Sequence, residues 1–245
     1  LSLSPGGGTG FMGRALTQLL RSRGHQVTHV SRQGGKDRIS WEELSRSGLP
    51  LCDAVVNLAG ENVLNPFRRW SDAFCREVIS SRLGVKGVWP FGQGHLVSLC
   101  SHSLLPTGVV LGRDGGAISQ MLLPFRLGLG GPMGSGLQPF PWIHIQDLAG
   151  IVCHALEKES VQGVLNGVAP SSPGTSNGAF ARELAAALGR PALLPVPAWA
   201  VRAVFGAERA LMLLEGQRVL PKRTLESGYR FLFPELPAAL KDIVA

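Results

Sequence analysis

Several things are scarce in this chain, and each scarcity removes a class of protein. There is one tyrosine and there are four cysteines in 245 residues. Cys52, Cys75, Cys100 and Cys153 lie far apart with no C-x-x-C pair, and three sit in apolar surroundings. They read as reduced core thiols rather than a disulfide framework. The expected location is therefore an intracellular reducing compartment, the cytoplasm first and an organelle second. No run of about 18 apolar residues occurs, so no membrane partner is expected. The amino-terminal Leu-Ser-Leu-Ser-Pro has no initiator Met and no basic segment, so no signal peptide is expected there and the start reads as truncated or altered. Long basic runs are missing as well. The formal net charge is +7, but Arg14, Arg21, Arg113, Arg182 and Arg209 are scattered singly without interleaved aromatics, which argues against nucleic acid.

What remains is ordinary for a globular chain, with 44% hydrophobic and 17% charged residues. The 32 glycines and 17 prolines are spread through the chain and read as turns. One cluster is different. Gly6-Gly7-Gly8-Thr9-Gly10-Phe11-Met12-Gly13 contains both G-x-x-G-x-x-G and G-x-G-x-x-G. Phe11, Ala15, Leu16, Leu19 and Leu20 follow at helical spacing, Gly24 closes the helix, and His25 to Val30 reads as a strand. This is a β-α-β unit of the dinucleotide-binding kind, in which glycines let the backbone approach a pyrophosphate at a helix N-terminus. Gly7, Thr9, Gly10, Phe11, Met12 and Gly13 form the candidate cradle, with Gly10 expected at the closest approach and at positive φ.

The second strand ends at Val30-Ser31-Arg32, where an NAD site would place an acid on the ribose hydroxyl. Ser31 and Arg32 suit a 2′-phosphate instead, because a guanidinium pairs with phosphate and a carboxylate would repel it. Cys52 to Gly60 reads as a third buried strand whose carboxyl end places Leu58, Ala59 and Gly60 over the crevice. Pro66 to Arg82 carries Phe67, Trp70, Phe74, Val78 and Ile79 at helical intervals, with Glu77 and Arg82 on its polar side. Further on, Thr107 to Gly112 reads as a strand, Ile118 to Leu127 as a helix, and Phe140 to Ile145 as a strand leading into a helix over Leu148 to Glu157. Asp147 reads as the cap of that helix, and His144 as a hydrogen-bonded core histidine rather than a catalyst. Phe180 to Leu188 reads as a helix ended by Gly189, and Val201 to Leu214 as one long apolar helix whose Met212, Leu213 and Leu214 read as core and whose apolar surface equally suits a homodimer.

Gly-Gly-Gly-Thr-Gly-Phe-Met-Gly, Val-Val-Asn-Leu-Ala-Gly-Glu-Asn, Pro-Trp-Ile-His-Ile-Gln-Asp-Leu-Ala and Leu-Pro-Lys-Arg-Thr-Leu-Glu-Ser-Gly-Tyr-Arg-Phe carry a resemblance. Together they resemble the atypical short-chain dehydrogenase/reductases of the NAD-dependent epimerase/dehydratase superfamily, in particular its sugar-nucleotide-epimerase-like group. The similarity covers residues 6–82 and 107–245. It implies an α/β fold with a Rossmann-like, doubly wound parallel sheet, an NADP cofactor and oxidoreductase activity on a small molecule of unknown identity. It also implies dinucleotide contacts at Ser31, Arg32, Leu58, Ala59, Glu77, Arg82 and Val110. The expected organisation is an NADP-binding domain over residues 1–160 and a C-terminal α/β lobe on the substrate side over residues 161–245, packed on the first.

The same family reference exposes two departures. Short-chain dehydrogenases use a Tyr-x-x-x-Lys pair on one helical face, the lysine lowering the tyrosine pKa. Here the one tyrosine is Tyr229, with Phe233 four positions on. Residues 83–106 show no periodicity and are too few for a strand and crossover helix, although Leu96 to Leu99 could form a short strand. A βα unit is expected to be missing, leaving the strand at Gly108 without a neighbour on one side and the protein without its active-site residues. His95, Cys100 and His102 fall in this segment and read as an irregular loop, not a metal site.

Replacing the phosphate-pairing guanidinium gives a direct check. Arg32→Asp is expected to weaken NADPH by about one to two orders of magnitude and to affect NADH less. Calorimetry with both nucleotides measures this, and equal affinities in the parent protein would contradict it.

Overall fold

The computed structural model describes residues 2–31, 33–35, 38–48, 50–60, 63, 68, 70–87, 103–113, 115–170 and 174–245. In chain order its elements are β1 (Ser2–Gly6), α1 (Phe11–Ser22), β2 (Gln26–Val27), β3 (His29–Ser31), β4 (Arg38–Ser40), α2 (Trp41–Ser47), β5 (Ala54–Asn57) and α3 (Asp72–Gly87). There follow β6 (Ser103–Leu104), β7 (Val109–Gly112), α4 (Gly116–Arg126), β8 (Trp142–His144), α5 (Ile145–Glu157) and β9 (Gly163–Val164). The remainder is helical, with α6 (Asn177–Ala187), α7 (Ala198–Phe205), α8 (Ala207–Glu215), α9 (Lys222–Glu226) and α10 (Leu236–Val244). Two compact units result. One comprises Leu1–Val63, Ser71–Leu105 and Ala149–Leu165, the other Leu64–Trp70, Pro106–Leu148 and Asn166–Ala245. No described helix is long and apolar enough to cross a membrane.

In the first unit β1 is central. It pairs in parallel with β2 and β3 on one side and with β5 on the other, and β4 pairs with β3. The single strand expected over His25 to Val30 is therefore two short ones in one register, interrupted at Thr28. Burial follows the two-residue period of a strand covered on both faces. Ala54 and Val56 join Leu16 and Leu20 of α1, Val27, and Ala149, Val152 and Cys153 of α5. Val55, on the opposite face, packs with Val30 and with Leu44 of α2. Helix α1 buries Gly13, Leu16, Thr17 and Leu20, one stripe at three- and four-residue spacing. A reciprocal Ser40–Glu43 capping box starts α2.

Helix α3 runs from Asp72 to Gly87, later at both ends than the sequence suggests. No proline interrupts it before Pro90, and an interior glycine costs a helix only about 1 kcal/mol. Phe74 is buried on it, whereas Ile79, counted as apolar stripe from spacing alone, is exposed. Residues 88–102 lie outside the described residues, and so do the candidate strand Leu96 to Leu99 and the His95, Cys100, His102 grouping. Ser103–Leu104 pairs in parallel with β9.

In the second unit β7 and β8 pair in parallel, Val109 opposite Trp142. The stretch before β7 does not lack a neighbour as expected: Thr107 bridges Gly167, and Gly108 donates its N–H to the Gly167 carbonyl at 3.0 Å. Leu111, Ile118, Phe125, Phe140, Trp142, Phe180, Leu184, Leu236, Leu240 and Ile243 form its core. The long helix expected over Val201 to Leu214 is broken at Gly206, whose φ of 80° only glycine adopts readily, giving α7 and α8. Arg209, one of the scattered arginines, is buried in this unit, donating to the carbonyls of Phe205 at 2.8 Å and Arg68 at 2.7 Å and lying over the Trp70 ring.

Asp147 is not a cap. It is the third residue of α5 and fully buried. Its Oδ1 accepts from the Leu232 amide at 2.7 Å and the Tyr229 hydroxyl at 3.1 Å, and its Oδ2 accepts from the Phe233 amide at 2.9 Å. The chain's lone tyrosine thus serves to fasten the segment before α10. Asp147→Ala should strand these donors in the interior and cost on the order of 3 kcal/mol, while Tyr229→Phe, which loses the hydroxyl that lies 3.1 Å from both the Asp147 carbonyl and its Oδ1, should cost about 1 kcal/mol. Urea denaturation midpoints check the ranking.

Candidate functional site

The candidate dinucleotide loop lies where the strand register predicts an opening. Gly6 on β1 pairs with Val30 on one side and with Asn57 on the other, so Gly7, Ser31 and Leu58 each follow at the same carboxyl end of the sheet. Gly7 has a φ of 77°, and a Cβ there would sit 2.8 Å from the Leu58 carbonyl atoms and 2.9 Å from the Ala59 nitrogen. The left-handed residue is thus Gly7. Gly10, expected at positive φ, is extended with φ −75° and ψ 178°, and its N–H closes a turn onto the Gly7 carbonyl at 3.0 Å.

The glycines divide by cause. A Cβ on Gly13 would meet Gly8 at 2.5 Å, and one on Gly8 would meet the His29 ring at 2.5 Å. The protein's own packing thus requires Gly7, Gly8 and Gly13. At Gly10 a Cβ would meet only the Gly7 carbonyl, at 3.2 Å, so the exposed Gly10 is the glycine whose bareness internal packing explains least. Helix α1 opens at Gly10 with no side-chain cap and no acid in its first turn. Its first amides are left for solvent or an anion, with the positive end of the helix dipole behind them. Thr9 is exposed and its carbonyl accepts from Arg14 at 3.3 Å, while Phe11 and Met12 are half-buried.

Around this loop, Leu58 and Ala59 are half-buried and Gly60 is exposed. Asn57, which sequence reasoning passed over, shapes the turn: its Oδ1 accepts from the Ala59 amide at 3.0 Å. An Asn two residues before a small-residue turn is the signal that could have found it. Ser31 is half-buried and donates its hydroxyl to the Gln33 carbonyl. Arg32 lies outside the described residues. Glu77 is exposed on α3, and Arg82 follows on the same helix. Val110 is a half-buried residue of β7, in the second unit. Gly7, Gly8, Gly10, Gly13, Leu58 and Ala59 are thus brought together by short backbone distances.

In the second unit His144, the alternative catalyst, is 1% exposed. Its Nδ1 accepts from the Gln146 amide at 3.3 Å, its ring packs 4.0 Å from that of Phe233, and Nε2 lies 3.3 Å from Asp242 Oδ2 without good hydrogen-bond alignment. Burial pushes its pKa below the ordinary 6.5, outweighing the opposing pull of Asp242 and Asp147. The ring is buried in the core, as expected, but only its Nδ1 has a hydrogen-bond partner among the described residues.

A family profile described as a domain of unknown function (DUF1731) matches residues 196–243. The epimerase family protein SDR39U1 of Bos taurus is 54% identical over 290 residues, spanning 98% of this chain and 98% of that protein, and that of Homo sapiens is 53% identical with the same coverage. The epimerase family protein YfhF of Bacillus subtilis is 28% identical, spanning 100% and 98%. Among solved structures, human SDR39U1 (isoform 2), crystallised with NADPH, superposes with a TM-score of 0.92 at 49% identity over 99% of each chain. A nucleoside-diphosphate sugar epimerase of Corynebacterium glutamicum, at 21% identity and TM-score 0.66 over 98% of this chain and 57% of its own, shares the fold.

The lowered His144 pKa has a consequence for stability. Below about pH 6.5 the unfolded chain takes up a proton that the native site resists, so this contribution is complete above pH 6.5 and is lost as the pH falls. The native protein should lose more stability between pH 7.5 and pH 5.5 than His144→Gln does, as read from denaturation midpoints. Parallel losses would contradict the assignment.

Proposed function

The chain belongs to the epimerase family of which SDR39U1 is a member, a Rossmann-fold group, and on that premise we propose that it binds NADP(H) at the loop Gly7–Gly13 and does so without turning over a substrate. The observation that carries the binding half is the approach of Gly7 to the Leu58–Ala59 backbone, which holds the loop open before the uncapped N-terminus of α1. A pyrophosphate suits that place because backbone amides and a helix dipole converge there. Phe11, Met12 and Gly13 would offer amides, Gly10 would allow close approach, Leu58 and Ala59 would flank the ring system, and Ser31 and Arg32 would face the 2′-phosphate. When bound, the nicotinamide supplies hydride chemistry; the protein's part would be to orient it and to place a proton.

The second half rests on the proton. A Tyr-x-x-x-Lys pair is missing from the sequence, and Tyr229 is engaged by Asp147. Without a positioned acid, about 10²–10⁴-fold in rate is forfeited. The alignment with the bovine relative runs over 290 residues, longer than this 245-residue chain, which supports the loss of an internal active-site segment. Family membership favours an oxidoreductase, and this chain's residues favour a binder derived from one.

Calorimetry and a spectrophotometric NADPH assay test the two halves separately. Saturable NADPH binding with no NADPH consumption, across carbonyl compounds and sugar nucleotides, is expected. No heat of binding would remove the cofactor reading. Steady consumption with any such substrate would remove the non-catalytic one.

A further inference from the structure

His29 is not among the residues a dinucleotide loop needs by sequence pattern, yet it sits directly beneath one. It belongs to β3, next to Val30, which pairs with Gly6. A Cβ on Gly8 would lie 2.5 Å from Cδ2 of the imidazole, 3.0 Å from Cγ and 3.2 Å from Nε2, so the ring is flush against the Gly8 backbone. On its other side Gly8 meets Gly13, where a Cβ would approach the Gly8 Cα at 2.5 Å. Thr17, one helical turn beyond Gly13 and buried, is hydrogen-bonded through Oγ1 to His29 Nε2 at 2.9 Å.

These contacts form a closed circuit from strand to ring, ring to helix hydroxyl, helix to Gly13 and Gly13 back to Gly8. We propose that His29, with Thr17, is a positioning residue of the dinucleotide site: the imidazole is the support that sets the Gly8–Gly10 turn against the first-turn amides of α1. The inference rests on the cofactor reading above and adds a residue to it. In this role the imidazole acts through the Gly8 backbone. A loop held at the right height offers its amides to a pyrophosphate without first being ordered, and removing the support returns that ordering cost to the binding step.

Adenosine 2′-monophosphate separates this role from a general structural one, because it shares the adenosine and 2′-phosphate with NADPH but lacks the pyrophosphate. His29→Ala should weaken NADPH about tenfold, and Thr17→Val, which keeps the shape and removes the hydrogen bond, by several-fold. Neither should change the affinity for adenosine 2′-monophosphate by more than about twofold. In the protein without nucleotide, amide hydrogen exchange over residues 7–13 should quicken in both variants. Gly8→Ala should be markedly more harmful in the parent, where the ring blocks the added methyl, than beside His29→Ala. Unchanged NADPH affinity and unchanged exchange in both variants would overturn the proposal, and so would an equal loss for both nucleotides. A parent protein that binds neither nucleotide would remove the cofactor reading instead, while the exchange measurement still decides whether His29 supports the loop.

Discussion

The closeness of Gly7 to the Leu58 carbonyl is the constraint on which the first unit depends. Two strands meet there at a separation no side chain permits, and the chain can turn from β1 into α1 only because Gly7 adopts a left-handed backbone. From that contact the rest follows in order. The turn places Gly8 over His29, the helix begins with Gly13 against Gly8, and the apolar stripe of α1 falls on the face of the sheet where Ala54 and Val56 point. The loop is therefore fixed from below by packing and left open above, where Thr9 and Gly10 are exposed.

A comparable role in the second unit is played by one buried carboxylate. Asp147 gathers a hydroxyl and two amides from residues 229–233, more than 80 residues away in sequence. A carboxylate in the interior is tolerated only when its lone pairs are met, and here three donors meet them. The same clasp takes up the phenol of Tyr229, the one tyrosine of the sequence. His144 follows the same pattern, a buried titratable group set between Phe233 and Asp242.

How much of this was legible in the sequence differs by residue. The glycine loop, the helix after it and the third strand were legible because their signals are local: glycine spacing, a stripe at three- and four-residue intervals, and a run of buried β-branched residues. The division of labour among the glycines was not, since which one turns left-handed depends on where Leu58 comes to lie. Asp147 looked like a cap because an acid ahead of an apolar run usually is one, and the break at Gly206 was hidden by the continuity of apolar residues on both sides. Arg209 reads in the sequence only as one of the scattered arginines, and its burial depends on carbonyls of Phe205 and Arg68, the second 141 positions away.

The sequence by itself determined that this is a parallel α/β chain with a dinucleotide-type loop and without the Tyr-x-x-x-Lys pair, because each of these is a matter of residue type at short spacing. Only the tertiary structure decided what the polar residues do. Whether Asp147 caps or clasps, whether His29 and Thr17 meet, and whether Tyr229 is free or engaged all depend on contacts between distant segments. A hydrogen bond in the interior is worth making only with the partner that folding delivers, and nothing in the local sequence names that partner.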